Sequence, residues 1–121
     1  MQKILIIEDN FDNMNLVRML LESEGYQVLN ASDGKQGLQV ARQQNPDLIA
    51  LDLDMPIMDG WEFVHLAKAD GKLRSIPIVV VTAHLLPGER NRVLKEGCAG
   101  YVSKPFKVKE LVGEIQRCLV E

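Results

Sequence analysis

Four short, unbroken apolar runs constrain this chain more than any other feature: Ile4-Leu5-Ile6-Ile7, Leu48-Ile49-Ala50-Leu51, Ile78-Val79-Val80-Val81 and a weaker one from Ala99 to Val102. A strand with one wet face alternates apolar and polar residues, whereas a strand covered on both faces is continuously apolar. The runs therefore predict strands of a parallel sheet packed between helices. A fifth strand, Tyr26–Asn30, is less apolar and belongs at an edge. Helical patterns fill the intervals. Met14, Val17, Leu20 and Leu21 recur at helical spacing within Asp12–Glu24, and Gly25 offers a stop. Asp33–Gln44 and Asp59–Ala69 form the second and third helices. Pro87 and Gly97 punctuate a fourth, while Val108, Leu111, Val112, Ile115 and Leu119 make one apolar stripe on a fifth.

The order is a strand–helix unit repeated five times, and right-handed crossovers put helices on both faces of the sheet. The expected fold is α/β: a five-stranded parallel sheet of order 2-1-3-4-5, doubly wound with five helices in the flavodoxin-like manner. A length of 121 residues accommodates one domain, 1–121, and leaves no room for a second. A net charge of −3 and scattered basic residues give no electrostatic footprint for nucleic acid or an anionic membrane. No apolar stretch approaches the roughly 18–20 residues of a membrane span, and Met1-Gln2-Lys3 leads into a run of only four apolar residues before Glu8, too short for a secretion signal. Cys98 and Cys118 lie far apart without a CxxC pattern, as reduced thiols do. A cytoplasmic protein is the expectation.

In such sheets ligands bind beyond the carboxyl ends of the strands, near the switch between strands 1 and 3. Those ends are polar here. The first strand runs into Glu8-Asp9, the third into Asp52-Leu53-Asp54, the fourth into Thr82-Ala83 and the fifth into Ser103-Lys104-Pro105. Crowded carboxylates raise one another's pKa unless a cation joins them. Oxygen-only ligands favour a hard ion, and Mg²⁺ is the one that accepts a substrate phosphate while keeping waters. Zinc would want His or Cys, and neither is placed to help. One carboxylate can then attack phosphorus to give an acyl phosphate, whose oxygens Lys104 and Thr82 would meet as a charge and a hydroxyl donor. Each residue alone has a plain alternative as a solvated acid, a turn cap, a β-branched strand residue or a surface lysine. Five polar positions at the correct ends of four strands are a different matter.

Four segments together, Ile6-Ile7-Glu8-Asp9-Asn10, Pro46 to Gly60, Val81-Thr82-Ala83 and Tyr101-Val102-Ser103-Lys104-Pro105-Phe106, resemble a response-regulator receiver domain, and the resemblance covers essentially the whole chain. It implies that Asp52 accepts a phosphoryl group from a histidine kinase or a histidine phosphotransfer protein. It implies Mg²⁺ on Asp9, Asp52 and the backbone carbonyl of Asp54, with Glu8 acting through a metal-bound water. Thr82, Ala83 and Lys104 would contact the phosphoryl group, and the Lys104–Pro105 peptide would be cis. Tyr101 matches the family's switch aromatic, turning into the space that Thr82 vacates. The output face would comprise the fourth helix, fifth strand and fifth helix; its partners would be a downstream protein target and, on its apolar residues, a phosphorylation-dependent second copy. The protein would catalyse its own phosphoryl transfer and slow autodephosphorylation without being a turnover enzyme.

Two positions depart from convention. Asp54 and His84 flank the entrance and are candidates for tuning autodephosphorylation, with solvated side chains as the alternative. Trp61, early on the third helix, is a packing residue that could also report Mg²⁺ binding by fluorescence. The competing enzyme class is a haloacid-dehalogenase-like phosphatase with Asp52 as nucleophile of an Asp52-Leu53-Asp54 motif. Its nucleophile ordinarily closes the first strand, and its second acidic cluster follows the lysine; here the acid pair comes first. A flavodoxin-type cofactor binder is disfavoured because the first loop, Asp9-Asn10-Phe11-Asp12-Asn13, lacks a glycine-rich cradle and would repel phosphate. A pseudo-receiver is disfavoured by the intact acids, threonine and lysine.

Overall fold

The computed structural model describes residues 2–53, 55, 58–83 and 88–119. Along the chain lie β1 (Lys3–Ile7), α1 (Phe11–Ser23), β2 (Gln27–Ala31), α2 (Gly34–Gln44) and β3 (Leu48–Leu51). There follow α3 (Gly60–Ala69), β4 (Ile78–Thr82), α4 (Glu89–Lys95), β5 (Gly100–Ser103) and α5 (Val108–Leu119). The five strands pair in parallel in the order β2-β1-β3-β4-β5. No helix among the described residues is long and apolar enough to cross a membrane.

The unbroken apolar runs are explained by a core on each face. Leu5, Ile7, Ile49, Leu51, Ile78 and Val80 point one way, against Leu38 and Ala41 of α2, Phe63 and Val64 of α3, and Val93 of α4. Their neighbours Ile4, Ile6, Leu48, Ala50, Val79 and Val81 point the other way, against Val17 and Leu21 of α1 and Leu111 and Ile115 of α5. Alternate side chains thus enter opposite cores, and polar residues on the central strands are confined to their ends, Lys3 opening β1 and Thr82 closing β4.

Local chemistry sets where the helices begin. Asn10, Asp33 and Asp59 each accept a hydrogen bond from the backbone N–H three residues on, at 2.8 to 2.9 Å. Such caps satisfy orphan donors of the first turn. Gly25 and Gly97, both at φ +93°, end α1 and α4 in the left-handed conformation that favours glycine. In each case the next residue's N–H reaches back five residues, Tyr26 to Leu21 and Cys98 to Val93.

That closure corrects one expectation. The Tyr26 N–H is spent on α1, so β2 starts at Gln27 and extends through Ala31. Val108 likewise leaves the expected stripe: it is 49% exposed, while Leu111, Val112 and Ile115 are buried. The helix begins at Val108, and its first residue lies outside the part pressed on the sheet. The described part of α4 is only Glu89–Lys95, preceded by Gly88 at φ +96° with no side-chain cap; Pro87 lies outside the described residues. Both cysteines are free, Cys98 buried and Cys118 half-buried on α5. Burial pushes the Cys98 thiol up to about 11, which keeps it protonated at neutral pH.

Candidate functional site

The hydrogen-bond register carries the acidic residues to one edge. The Asp52 N–H donates to the Ile7 carbonyl at 3.0 Å, and the Glu8 N–H to Ala31 at 3.0 Å. The ends of β1 and β3 are therefore side by side. A carboxylate oxygen from each of Glu8, Asp9 and Asp52 lies within 4.8 Å of the others. Glu8 is buried at 7% exposure, the Asp52 side chain is 11% exposed, and Asp9 is open to solvent.

Lys104 enters from the far side. The backbone N–H of Lys104 donates to the Thr82 carbonyl at 2.9 Å, and the Lys104–Pro105 peptide is cis, as the resemblance implies. The ammonium sits 2.7 Å from Glu8 Oε1 and 3.5 Å from Asp52 Oδ2. Burial opposes its charge, but the hydrogen bond to Glu8 and the charges of Asp52 and Glu8 outweigh that, and its pKa is raised. Glu8 is also shifted up. Burial is the main cause and the adjacent Asp52 adds to it, while Lys104 works the other way.

The residues present suit a hard cation. All donors of the acidic cluster are oxygens, and Glu8 Oε2 is buried without a hydrogen-bond partner among the described residues. A buried carboxylate oxygen with no donor is costly. A hydrated divalent ion between Glu8, Asp9 and Asp52 would satisfy it, and one lysine does not neutralise three acids.

Thr82 is fully buried as the last residue of β4. The half-buried Tyr101 pairs in register with Val80 and packs against the core that Val80 enters. Thr82 follows Val80 by two residues, so Thr82 and Tyr101 face the same side of neighbouring strands. Ala83 is exposed at the mouth. Asp54 and His84 lie outside the described residues.

The structure adds features not anticipated from sequence. The Glu8–Lys104 ion pair joins residues 96 positions apart. Opposite charges at the strand ends are visible in the sequence, but the resemblance assigns Lys104 only to the phosphoryl group. Beside it, Asn13, Leu16 and Val17 of α1 with Ala83, Pro105 and Phe106 line a mostly apolar groove of about 340 Å³. The signal available was the surplus of apolar residues on α1: Phe11, Leu16 and Met19 remain exposed. Trp61 packs on the core, with the Arg92 guanidinium of α4 stacked 4.1 Å from its ring centroid.

The first turn of α3 presses on the acceptor strand. A Cβ on Gly60 would lie 2.5 Å from the Leu53 Cα and 3.0 Å from the Asp52 carbonyl oxygen, so only glycine admits this approach. The Gly60 N–H donates to the Leu53 carbonyl at 2.9 Å, tying the helix to the residue after Asp52.

Comparison with known proteins agrees with this geometry. A family model described as the response regulator receiver domain matches residues 4–116. The polar-differentiation response regulator DivK of Brucella anthropi is 37% identical over 118 residues, covering 98% of this chain and 96% of that protein. Among solved structures, the chemotaxis protein CheY4 of Vibrio cholerae superposes with a TM-score of 0.91 at 30% identity, covering 98% of both chains. The receiver domain of the sensor histidine kinase PA1611 from Pseudomonas aeruginosa gives 0.89 at 36% identity, covering 98% of this chain and 97% of that one. That structure has a magnesium ion coordinated in its active-site cleft. The phosphatase alternative finds no support in any of these.

Proposed function

Because the chain belongs to the response regulator receiver domain family, whose members are phosphoacceptors, we propose that Asp52 is its phosphoacceptor and that Asp9, Asp52 and Glu8 hold Mg²⁺ beside it. The carrying observation is the convergence of three carboxylates within 4.8 Å of one another with the Lys104 ammonium 3.5 Å from Asp52. Mg²⁺, when bound, neutralises the acids and the incoming phosphoryl oxygens.

The chain's own residues do the rest. An Asp52 carboxylate oxygen forms a bond to phosphorus as the P–N bond of a phosphohistidine donor breaks, and the imidazole leaves with the bonding pair. Lys104 then exchanges its contact with Glu8 for a phosphoryl oxygen, a charge-assisted interaction that a flexible lysine can follow. The Thr82 hydroxyl and the region of Ala83 supply donors from β4. As Thr82 moves to the phosphoryl group, the Tyr101 ring on the same side of the adjacent strand turns inward, altering the α4–β5–α5 face. An open groove of about 640 Å³ on that face, bordered by Leu94, Tyr101 and Glu110, is a fitting place for a downstream protein or a second copy of the chain. The apolar groove beside Lys104 suits the kinase or phosphotransfer protein that delivers the phosphoryl group. Water returns Asp52 to its free state slowly, so the domain serves as a timer in the cytoplasm and does not turn over substrate.

The test is direct. Incubation with acetyl phosphate and Mg²⁺ should add the mass of one phosphoryl group to the intact protein, and none to Asp52→Asn or in the presence of a chelator. Equal phosphorylation of Asp52→Asn would reject the assignment.

A further inference from the structure

β5 ends the sheet, and an edge strand offers its outward N–H and C=O groups to any passing strand. The Lys104 N–H binds the Thr82 carbonyl on β4, so by alternation the Tyr101 N–H faces away from the sheet. It is not left to water. Glu114 Oε2 of α5 accepts from it at 3.2 Å, and Arg117 Nη2 donates to the Ala99 carbonyl at 2.9 Å. Arg117 Nε also donates to Glu114 Oε1 at 2.7 Å, so the two side chains act as one unit. An acceptor facing an N–H and a donor facing a C=O, two residues apart, reproduce what a neighbouring strand would present.

Gly100, between the two contacts, makes room for the pair. A Cβ there would lie 2.5 Å from Glu114 Oε2 and 2.9 Å from Arg117 Nη2. Both atoms are the far ends of flexible side chains, so a methyl group would expel the pair without straining the backbone. The hydrogen bond to Arg117 also holds the Glu114 carboxyl below the usual glutamate range, keeping it an acceptor in mild acid.

We propose that Glu114 and Arg117 form a substitute strand: a zwitterionic clamp that occupies the outer edge of the chain from Ala99, just before β5, to Tyr101 within it, and closes that edge to strand addition. A partner on this face must then recognise side chains, because the backbone edge is already taken. The clamp does not depend on which residue is phosphorylated.

Amide hydrogen exchange on the unphosphorylated full chain, followed residue by residue by NMR, tests it. Loss of a protecting hydrogen bond opens an amide locally, so Glu114→Ala and Gly100→Ala should each speed Tyr101 exchange by roughly 10-fold or more. Amides of β1 and β3 should keep their rates, and Glu114→Gln, which retains a carbonyl oxygen, should keep most of the protection. The double variant Glu114→Ala/Arg117→Ala should gain concentration-dependent protection of residues 100–103 from pairing with a second copy, absent in the native chain. Unchanged Tyr101 exchange in the single variants, equal acceleration throughout the core, or a double variant without concentration dependence would each overturn the proposal.

Discussion

Replacing Lys104 by methionine should destabilise the domain at neutral pH and leave it almost unaffected in acid. The lysine ammonium lies 2.7 Å from Glu8 Oε1, and the Glu8 side chain is only 6% exposed. Removing one partner of a fully buried pair costs about 3–5 kcal/mol, because the other charge stays behind unpaired. Lys104 retains 19% side-chain exposure, so solvent screening brings the expected loss to about 2 kcal/mol. The pH dependence follows from Glu8. Its pKa in the folded protein is already raised, mainly by burial, and Lys104 is among the groups restraining it. A carboxyl whose folded value lies above its unfolded value favours folding when protonated, and that contribution is lost as pH rises through the folded value. Without the lysine the folded value climbs further. The penalty of the substitution should therefore be small below the ordinary glutamate range, about 4.3, and grow through the raised value to a plateau near neutrality. Urea unfolding of both proteins in a chelator, across pH, measures it. A penalty independent of pH would mean that the lysine stem, and not its charge, is what matters.

The second large effect lies in the core. Phe63 is completely buried on α3, and its ring stands 3.3 Å from where a Cβ on Gly37 of α2 would be. Truncating a phenylalanine of this kind to alanine costs about 3–5 kcal/mol in transfer and cavity terms. Against a total stability of roughly 5–15 kcal/mol this is a large share. For a chain of this size the melting temperature should fall by roughly 15 °C. The site should feel it too, because α3 carries the Asp59 cap and the Gly60 contact on Leu53 behind the acceptor. Thermal unfolding of Phe63→Ala followed by circular dichroism checks this. A loss below about 1 kcal/mol would place the ring in a site able to collapse around the cavity.

Much of this architecture could be read from the residues because parallel strands buried on both faces leave an unmistakable apolar imprint. Ile4–Ile7 and Ile78–Val81 fall inside β1 and β4 as expected. Asp33 and Asp59, which the sequence pattern puts at the starts of helices, are their caps, one residue outside. What was less legible depended on competition for single backbone groups or on distance. Tyr26 has a strand-forming side chain, yet its N–H closes α1. Val108 has the right spacing for a buried stripe, yet periodicity does not say how far along α5 the sheet extends. The strand ends announced which acids, threonine and lysine would share one edge. They did not announce that Lys104 would bind Glu8 more closely than Asp52, since that choice is made by a long flexible stem after the fold has formed. The clamp of Glu114 and Arg117 on β5 was equally hidden: at i and i+3 on a helix, off its apolar stripe, the pair looks like an ordinary surface ion pair.

Trapping the acyl phosphate chemically would locate it without reliance on a variant. After loading with acetyl phosphate and Mg²⁺, borohydride reduces the phosphorylated carboxyl carbon to an alcohol, converting aspartate to homoserine at the modified position alone. Tandem mass spectrometry of the digested chain should find homoserine at position 52 and nowhere else. Homoserine at position 9 or 12, or a chain with every aspartate intact after phosphoryl uptake, would contradict the account.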